Sequence, residues 1–366
     1  MFITLEKNAF REAVNIVSRF AENKSTPLPS LTGIAILAGD AGIKLRATNL
    51  ETAIDLHIPG TIKEIGAVVL PSNSLRDISA TLSHTGTLSI EHTGDTVTLH
   101  IEGGKSILKT LPFEDFPSLP LPENPSTSIK LHTKDIQQLI APVVPSASPS
   151  VVRPELASVL ISSEGGVLTS VATDSFRLSE KKITLSKTIP PFSFLIPAKN
   201  ISTILQSLPD TTIELQANDH QCAFVWDSGV ITTRLTSGSY PDYTQIIPKH
   251  TSSEVTVLKK DLEVSLRRVA VFSDTFQKVK VHINPHTKSI TLSAKNNDIG
   301  ESEASVAGSV TGEEIELSFN HKYISAPLSY IETDTITLSA SGIGRAVTIR
   351  GTGDTSYLYL VMPMNN

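Results

Sequence analysis

The chain has 366 residues, 39% of them hydrophobic and 19% charged, with a formal net charge of −6, which suits a globular protein of two or three ordinary domains. No run of about 18 apolar residues is present to span a bilayer, and Met1 to Glu6 lacks the basic and apolar regions of a signal peptide, so a cytoplasmic location is expected. The single cysteine, Cys222, excludes an intrachain disulfide, and the ten histidines show no metal-ligand spacing, so no cofactor is expected.

Taken in chain order, Phe2 to Leu5 reads as a short strand running into a helix that starts near Lys7, where Phe10, Ala13, Val14 and Val17 form one apolar stripe. Gly33 to Leu37 and Gly42 to Ala47 read as paired strands, and Ala67 to Leu70 as a further strand. Pro71 opens a second helix with Leu75, Ile78 and Leu82 inward. Alternation at Thr87 to Glu91 and Thr96 to Ile101 around Thr93-Gly94-Asp95 signals a hairpin. Ile107 to Leu111 is the last strand of the block, and the proline-rich stretch Phe116 to Pro125 reads as a linker.

The order then repeats. Leu131 and Ile136 lie 126 residues after Leu5 and Phe10, Pro197 lies 126 after Pro71, and Val257 and Leu262 repeat the first two anchors after another 126. Tyr240-Pro241 is the counterpart of Phe116-Pro117, and Lys249 to Glu254 reads as a second linker. In the last third, Pro327 falls within the helix expected from about Asn320, which should shorten or bend it. The expectation is an α+β architecture of three tandem domains, 1–124, 125–250 and 251–366, each with about two helices on antiparallel strands.

No catalytic constellation accompanies this framework. Gly103-Gly104-Lys105-Ser106 resembles the end of a phosphate loop, but Leu99 stands where a glycine is needed and alternating strands flank it, which makes it a hairpin turn. Gly342-Ile343-Gly344 is likewise a turn. Asp174 and Arg177 are expected as a surface ion pair at a strand end. An enzyme is therefore not indicated.

The distribution of charge is more informative than its sum. The proposed helices carry eleven cations, Lys7, Arg11, Arg19, Arg76, Lys134, Lys199, Lys259, Lys260, Arg267, Arg268 and Lys322, against six acids. They are net +5, and the rest of the chain is −11. A basic helical layer on an acidic body attracts a polyanion on one side only.

Thr173-Asp174-Ser175-Phe176-Arg177-Leu178, Arg153-Pro154-Glu155-Leu156, Tyr240-Pro241-Asp242-Tyr243, Phe319-Asn320 with Tyr323, and Val361-Met362-Pro363-Met364 together resemble the bacterial sliding clamps, the beta subunits of DNA polymerase III. The resemblance covers the whole chain. It implies three DNA-clamp domains, a head-to-tail homodimeric ring around double-stranded DNA without sequence preference, and no catalytic activity. The implied partners are the DNA polymerase III catalytic subunit, a clamp loader and other replication and repair proteins. A polyvalent protein-binding scaffold without DNA encirclement is the alternative.

Simple geometry is consistent with two chains, provided the helices line the ring. Six helices about 10 Å apart leave under ~10 Å clear, whereas twelve leave about 28 Å, enough for a duplex roughly 20 Å wide.

Carried over residue by residue, the resemblance implies a partner-peptide pocket. Its wall would comprise Leu156, Thr173, Ser175, Leu178, Pro241, Ile246, Leu360 and Met362, with Phe176 and Arg177 in the same motif. Arg153, Asn320, Tyr323, Pro363 and Met364 would lie along the groove. It implies a dimer contact between Ser106, Ile107 and Leu108 and Val271 and Phe272, and DNA contact at Lys24 and Lys199. The helix charges add Lys7, Arg11, Arg76, Lys134, Lys259, Lys260, Arg267 and Arg268 to the DNA-facing set. The chain departs from the family pattern at Ser106, where a large apolar residue is common, and at Asn73 and Ser150, where polar or basic contact residues are replaced. It departs also at Phe176, a position often His or Tyr, and at Asn365-Asn366, which lack a basic residue.

Overall fold

The strand expected at the N-terminus forms as Phe2–Glu6 and passes directly into α1 (Lys7–Val17), whose Phe10, Ala13, Val14 and Val17 are buried as the 3.6-residue period requires. The fold is that of a computed structural model, which describes residues 1–22, 26–119, 121–185 and 189–364. The other helices are α2 (Ser72–Ala80), α3 (Thr133–Ile140), α4 (Ala198–Leu205), α5 (Lys259–Ala270) and α6 (His321–Ser325). Pro71 ends a strand and precedes α2 instead of opening it. α6 stops at Ser325 and a 3-10 turn, Ala326–Ser329, follows. Pro327 has no N–H to continue the helical ladder, yet it and Leu328 are buried, so the 3-10 turn still contributes to the core.

The chain divides into two compact units, Met1–Ile136 with Lys199–Leu235, and Gln137–Ala198 with Thr236–Asn366. In the first, the strands Gly60–Glu64, Phe2–Glu6, Thr87–Thr93, Thr96–Ile101 and Gly104–Lys109 form a five-stranded sheet in that order. An eight-stranded sheet runs from Thr127–His132 through Thr212–Ala217, Gln221–Trp226, Gly229–Arg234, Thr52–Ile58, Gly42–Thr48 and Gly33–Gly39 to Gly66–Pro71. α1 packs on α2 and on the strands Gly42–Thr48 and Thr52–Ile58. Cys222 is fully buried in this sheet.

In the second unit a nine-stranded sheet runs through Phe192–Pro197, Ser158–Glu164, Val167–Thr173, Arg177–Thr184, Tyr357–Val361, Val347–Gly351, Thr335–Ala340, Ser253–Leu258 and Ser309–Gly312. A four-stranded sheet orders Gly300–Ala307, Ser289–Asn296, Lys278–Asn284 and Ile315–Asn320. Leu262, Leu266 and Val269 of α5 and Ile324 of α6 join Val281, Leu292 and Phe319 in its core. The strand Ser253–Leu258 begins inside the stretch expected as a linker.

Two strands that sequence patterning overlooks are central to these sheets. Thr52–Ile58 carries the buried Asp55, whose Oδ2 accepts from Arg46 Nη2 at 2.5 Å on the neighbouring strand. Arg177–Thr184 carries the buried Glu180, which accepts from Lys182 Nζ at 2.8 Å and from the Tyr243 hydroxyl at 2.7 Å. A charge inside the run breaks the apolar alternation, and only the folded partner explains why burial is tolerated.

Gly312 separates two costs of a side chain at positive φ. At φ +92° a Cβ there would collide with the Ser252 carbonyl oxygen, whereas Gly353, at φ +81°, faces open space. Gly353→Ala is expected to lower the stability to urea by about 1 kcal/mol and Gly312→Ala by about 3 kcal/mol or more. Equal losses would contradict the close approach at Gly312.

Candidate peptide pocket and nucleic-acid face

The turn that carries the Asp174 motif is closed by its own side chains. Thr173 Oγ1 donates to the Arg177 carbonyl at 2.7 Å and accepts from Ser175 N at 3.2 Å, while Asp174 Oδ1 accepts from Phe176 N and Arg177 N, both at 2.9 Å. Ser175 sits at φ +75°, a left-handed conformation that such side-chain bonds help to hold. Asp174 Oδ2 accepts from Arg177 Nε at 2.9 Å, and the guanidinium lies 4.4 Å from the ring centroid of Tyr323. The expected surface ion pair is corrected here: the two side chains are only 7% and 16% exposed. Burial lowers the Arg177 pKa, but Tyr359 and Asp174 outweigh it and hold the group above its ordinary value.

Immediately after the turn, Leu178 pairs with Leu360, and both belong to a buried apolar cluster with Leu160, Val171, Leu195 and Ala346. Tyr240, Tyr243 and Met362 pack against it, partly buried. Burial pushes both phenols well above their ordinary range, with Glu180 adding to the effect at Tyr243. The C-terminal residues continue strand-like, with Met362 N donating to the Phe176 carbonyl at 2.8 Å and Met364 N to the Ser318 carbonyl at 2.7 Å. Phe176 is 61% and Ile246 49% exposed; Ser175, Pro241 and Arg153 are also exposed, and Pro363 is half-buried.

The structure thus brings together most of the expected pocket residues. Leu156 and Thr173 are buried outside the apolar cluster, and Asn320 caps α6 by accepting from Lys322 N at 2.9 Å. Val171, Leu195, Ala346, Tyr240 and Tyr243 were not among the expected site residues. For the two tyrosines the Tyr-Pro-Asp-Tyr motif was the available signal; Ala346, small and beside a glycine turn, offers none.

The same turn occurs in the first unit. Thr48 Oγ1 donates to the Thr52 carbonyl at 2.9 Å and accepts from Leu50 N at 3.0 Å, and Asn49 Oδ1 accepts from Glu51 N at 3.0 Å and Thr52 N at 2.8 Å. Leu50 takes φ +72° in the place of Ser175. Arg234 N donates to the Glu51 carbonyl as Met362 N does to Phe176. Thr232 and Arg234 therefore stand where Leu360 and Met362 stand in the second unit, so only the second copy has an apolar floor.

The basic residues separate into three groups. Lys260, Arg267 and Arg268 on α5 and Lys199 on α4 are exposed and carry no ion pair among the described residues. Others are engaged: Arg11 donates to the His84 ring and to Asn8 Oδ1, Arg76 lies 3.6 Å from Asp77, Lys134 lies 3.4 Å from Asp210, and Lys259 Nζ donates to the Ile331 carbonyl at 2.6 Å. The expectation for Lys7 is overturned. It is 2% exposed, donates to Ser83 Oγ at 3.3 Å and lies 3.7 Å from the Glu102 carboxylate. Lys7 falls on the buried stripe at i, i+3 and i+7 with Phe10 and Val14, so the helical period itself turns it inward. Lys24 and the final Asn365-Asn366 lie outside the described residues.

Two sheet edges complete the picture. Gly104–Lys109 ends the five-stranded sheet with Ile107 57% exposed and Ser106 and Leu108 half-buried, and Gly300–Ala307 ends the four-stranded one. Val271, just past α5, is exposed and Phe272 half-buried.

Sequence models of the DNA polymerase III beta subunit match in tandem: its N-terminal domain over residues 1–120, its central domain over 130–242 and its C-terminal domain over 244–365. The chain belongs to the DNA polymerase III beta subunit family. It is a sliding clamp, a processivity factor of DNA replication and a non-catalytic subunit. The beta sliding clamp of Bacillus subtilis is 29% identical over 382 residues, spanning 100% of this chain and 99% of that protein. That of Synechococcus elongatus is 25% identical over 374 residues, again with 100% and 99% covered. The crystal structure of the Bacillus subtilis clamp superposes with a TM-score of 0.93 at 27% identity, covering 100% of this chain and 99% of that one. No helix among the described residues is long and apolar enough to cross a membrane, and no group of His, Cys, Asp or Glu among them could hold a metal ion.

Asp174 is the residue whose loss should disturb the pocket turn most. Asp174→Ala strips three hydrogen bonds and leaves Arg177 half-buried without its carboxylate, an expected cost of about 3 kcal/mol. Asp174→Asn keeps the backbone acceptor and is expected to cost about half of that. Urea unfolding of both variants checks the order; an Asn variant as unstable as the Ala variant would contradict it.

Proposed function

We propose that two copies of this chain close head to tail around duplex DNA and hold partner proteins through the apolar pocket of the second unit. The observation that carries the reading is the repetition of one strand-pairing rule. Gly229–Arg234 pairs with Thr52–Ile58, and Tyr357–Val361 pairs with Arg177–Thr184. Each is the last strand of one repeat adding to the preceding repeat. Spacing places Gly104–Lys109 as the corresponding last strand of the first repeat, and Gly300–Ala307 as the corresponding acceptor of the third. Both are unpaired edges, and such edges call for a partner. Pairing them between chains is a heterologous contact, which makes a ring if the rotation closes. Ile107, Val271 and Phe272 supply apolar surface for it, and Ser106 makes the contact less apolar than a large side chain would.

In this reading the chain comprises clamp domains 1–124, 125–250 and 251–366 and works in the cytoplasm. Lys199, Lys260, Arg267 and Arg268 face the DNA, with Arg11, Arg76, Lys134 and Lys259 available once their short-range partners yield. Contacts to phosphate alone carry no sequence information, which permits sliding. The pocket takes a short extended peptide from the DNA polymerase III catalytic subunit, the clamp loader, or other replication and repair proteins. Apolar anchors enter over Leu178 and Leu360, beside the adaptable side chain of Met362. Two or three such anchors at about 1.5 to 3 kcal/mol each suggest roughly micromolar affinity, suited to partners that exchange.

Native mass spectrometry should give twice the 39.3 kDa of one chain, and Ile107→Asp should shift the population to the single-chain mass. A wild-type protein that is monomeric at micromolar concentration would favour a scaffold without encirclement. Removing residues 362–366 is expected to weaken a polymerase-tail peptide at least tenfold while the dimer persists. Unchanged peptide affinity, read by fluorescence anisotropy, would count against the pocket.

A further inference from the structure

The apolar floor of the pocket continues, on the same sheet face, into a polar cavity. Leu360 has Leu178 as its neighbour on one side and Thr348 on the other. Thr348 in turn neighbours Ser339, and Ser339 neighbours Glu254. Arg350, two residues along from Thr348, shares its face and stands opposite Thr337. Adjacent strands lie about 4.8 Å apart, so the face changes from leucine to hydroxyl within one strand spacing.

Over this polar part lies a cavity of about 380 Å³ bordered by Pro248, Glu254, Ser339, Thr348, Arg350 and Asp354. Pro248 lies two residues beyond the 3-10 turn Tyr243–Ile246, whose Tyr243 packs against the apolar floor, so one segment reaches both sites. Arg350 is the cation of the lining and is half-buried. Among the described residues its guanidinium has no hydrogen-bond or ion-pair partner, and its Nε–H is shielded from solvent without an acceptor. The two carboxylates are already engaged. Glu254 Oε2 accepts from the Ser339 hydroxyl at 3.1 Å, and Asp354 Oδ1 from Ser356 N at 2.7 Å. Neither carboxylate forms an ion pair with the guanidinium, so Arg350 keeps an unfilled hydrogen-bonding edge that an incoming carboxylate can take.

We propose that this cavity seats the polar flank of the same partner peptide, an extended segment whose acidic side chain pairs with Arg350 while its backbone meets the surrounding hydroxyls. The inference rests on the reading of the apolar pocket as a peptide site, because the occupant is identified by the continuity of the two. It makes Arg350 a specificity-determining residue that selects partners carrying a carboxylate next to their apolar anchors.

The test uses a fluorescent polymerase-tail peptide, alone and extended at either end by Asp-Ser-Asp or by Asn-Ser-Asn, with the full-length wild-type protein and Arg350→Met. At low ionic strength the wild type should bind one Asp-extended peptide about tenfold more tightly than its Asn twin. Arg350→Met should reduce that preference below about twofold while binding the unextended peptide unchanged, which also shows that the variant is folded. Equal binding of Asp and Asn peptides at both ends, or a preference that survives in Arg350→Met, would overturn the proposal. Arg350-dependent binding of inorganic phosphate without any Asp preference would overturn it in favour of a small-anion site. Failure of the unextended peptide to bind the wild type would overturn the pocket reading and this one together.

Discussion

The structure depends on one constraint: a β-strand placed at the edge of a repeat must have its backbone groups paired. The chain meets it twice by adding the last strand of a repeat to the sheet of the one before, Gly229–Arg234 on Thr52–Ile58 and Tyr357–Val361 on Arg177–Thr184, and leaves Gly104–Lys109 and Gly300–Ala307 as edges. Sheets of eight and nine strands result, and the middle repeat is shared between the two compact units. The repeats are therefore not beads on a string. Their junctions consist of the same hydrogen-bonded ladder as their interiors.

The proposed peptide site lies where that ladder passes from one repeat to the next. The turn before each accepting strand is held by the same set of side-chain hydrogen bonds, with Leu50 and Ser175 in the same left-handed conformation. What differs is the surface beside it. Leu178, Leu360 and Met362 make the second junction apolar, whereas Ala53, Thr232 and Arg234 leave the first polar. The two turns thus share one set of side-chain to backbone hydrogen bonds and differ in the side chains beside them, and the proposed peptide site lies at the apolar copy.

Much of this was legible in the sequence because it rests on period. The spacing of 126 residues exposed the triplication, the helical stripes located α1, α3 and α5, and Pro327 foretold the early end of α6. Period also misled where it was read only for apolar residues. Lys7 lies on the inward stripe of α1 and is buried against Ser83 and Glu102, contacts made by residues far along the chain. Asp55 and Glu180 concealed two central strands because Arg46 on the neighbouring strand and Tyr243 in a distant turn are brought to them only by the fold. Leu195 joins the apolar cluster through its register with Leu160, and Ala346 joins it from the residue before the strand Val347–Gly351, neither of which a local pattern encodes.

A body with net charge −6 that holds DNA by enclosure does not need the affinity of a sequence-specific binder, because release requires opening the ring or reaching a DNA end. In the proposed reading, the helix cations that are unpaired among the described residues need only lower the barrier to motion along phosphates. The most direct measurement of this account is the retention of loaded protein on nicked circular DNA compared with the same DNA after linearisation, followed by gel filtration at moderate salt. The account predicts that protein stays with the circle and is lost from the linear form within the time of the run. Equal retention on both would show that the chain binds DNA by surface contact and would contradict encirclement.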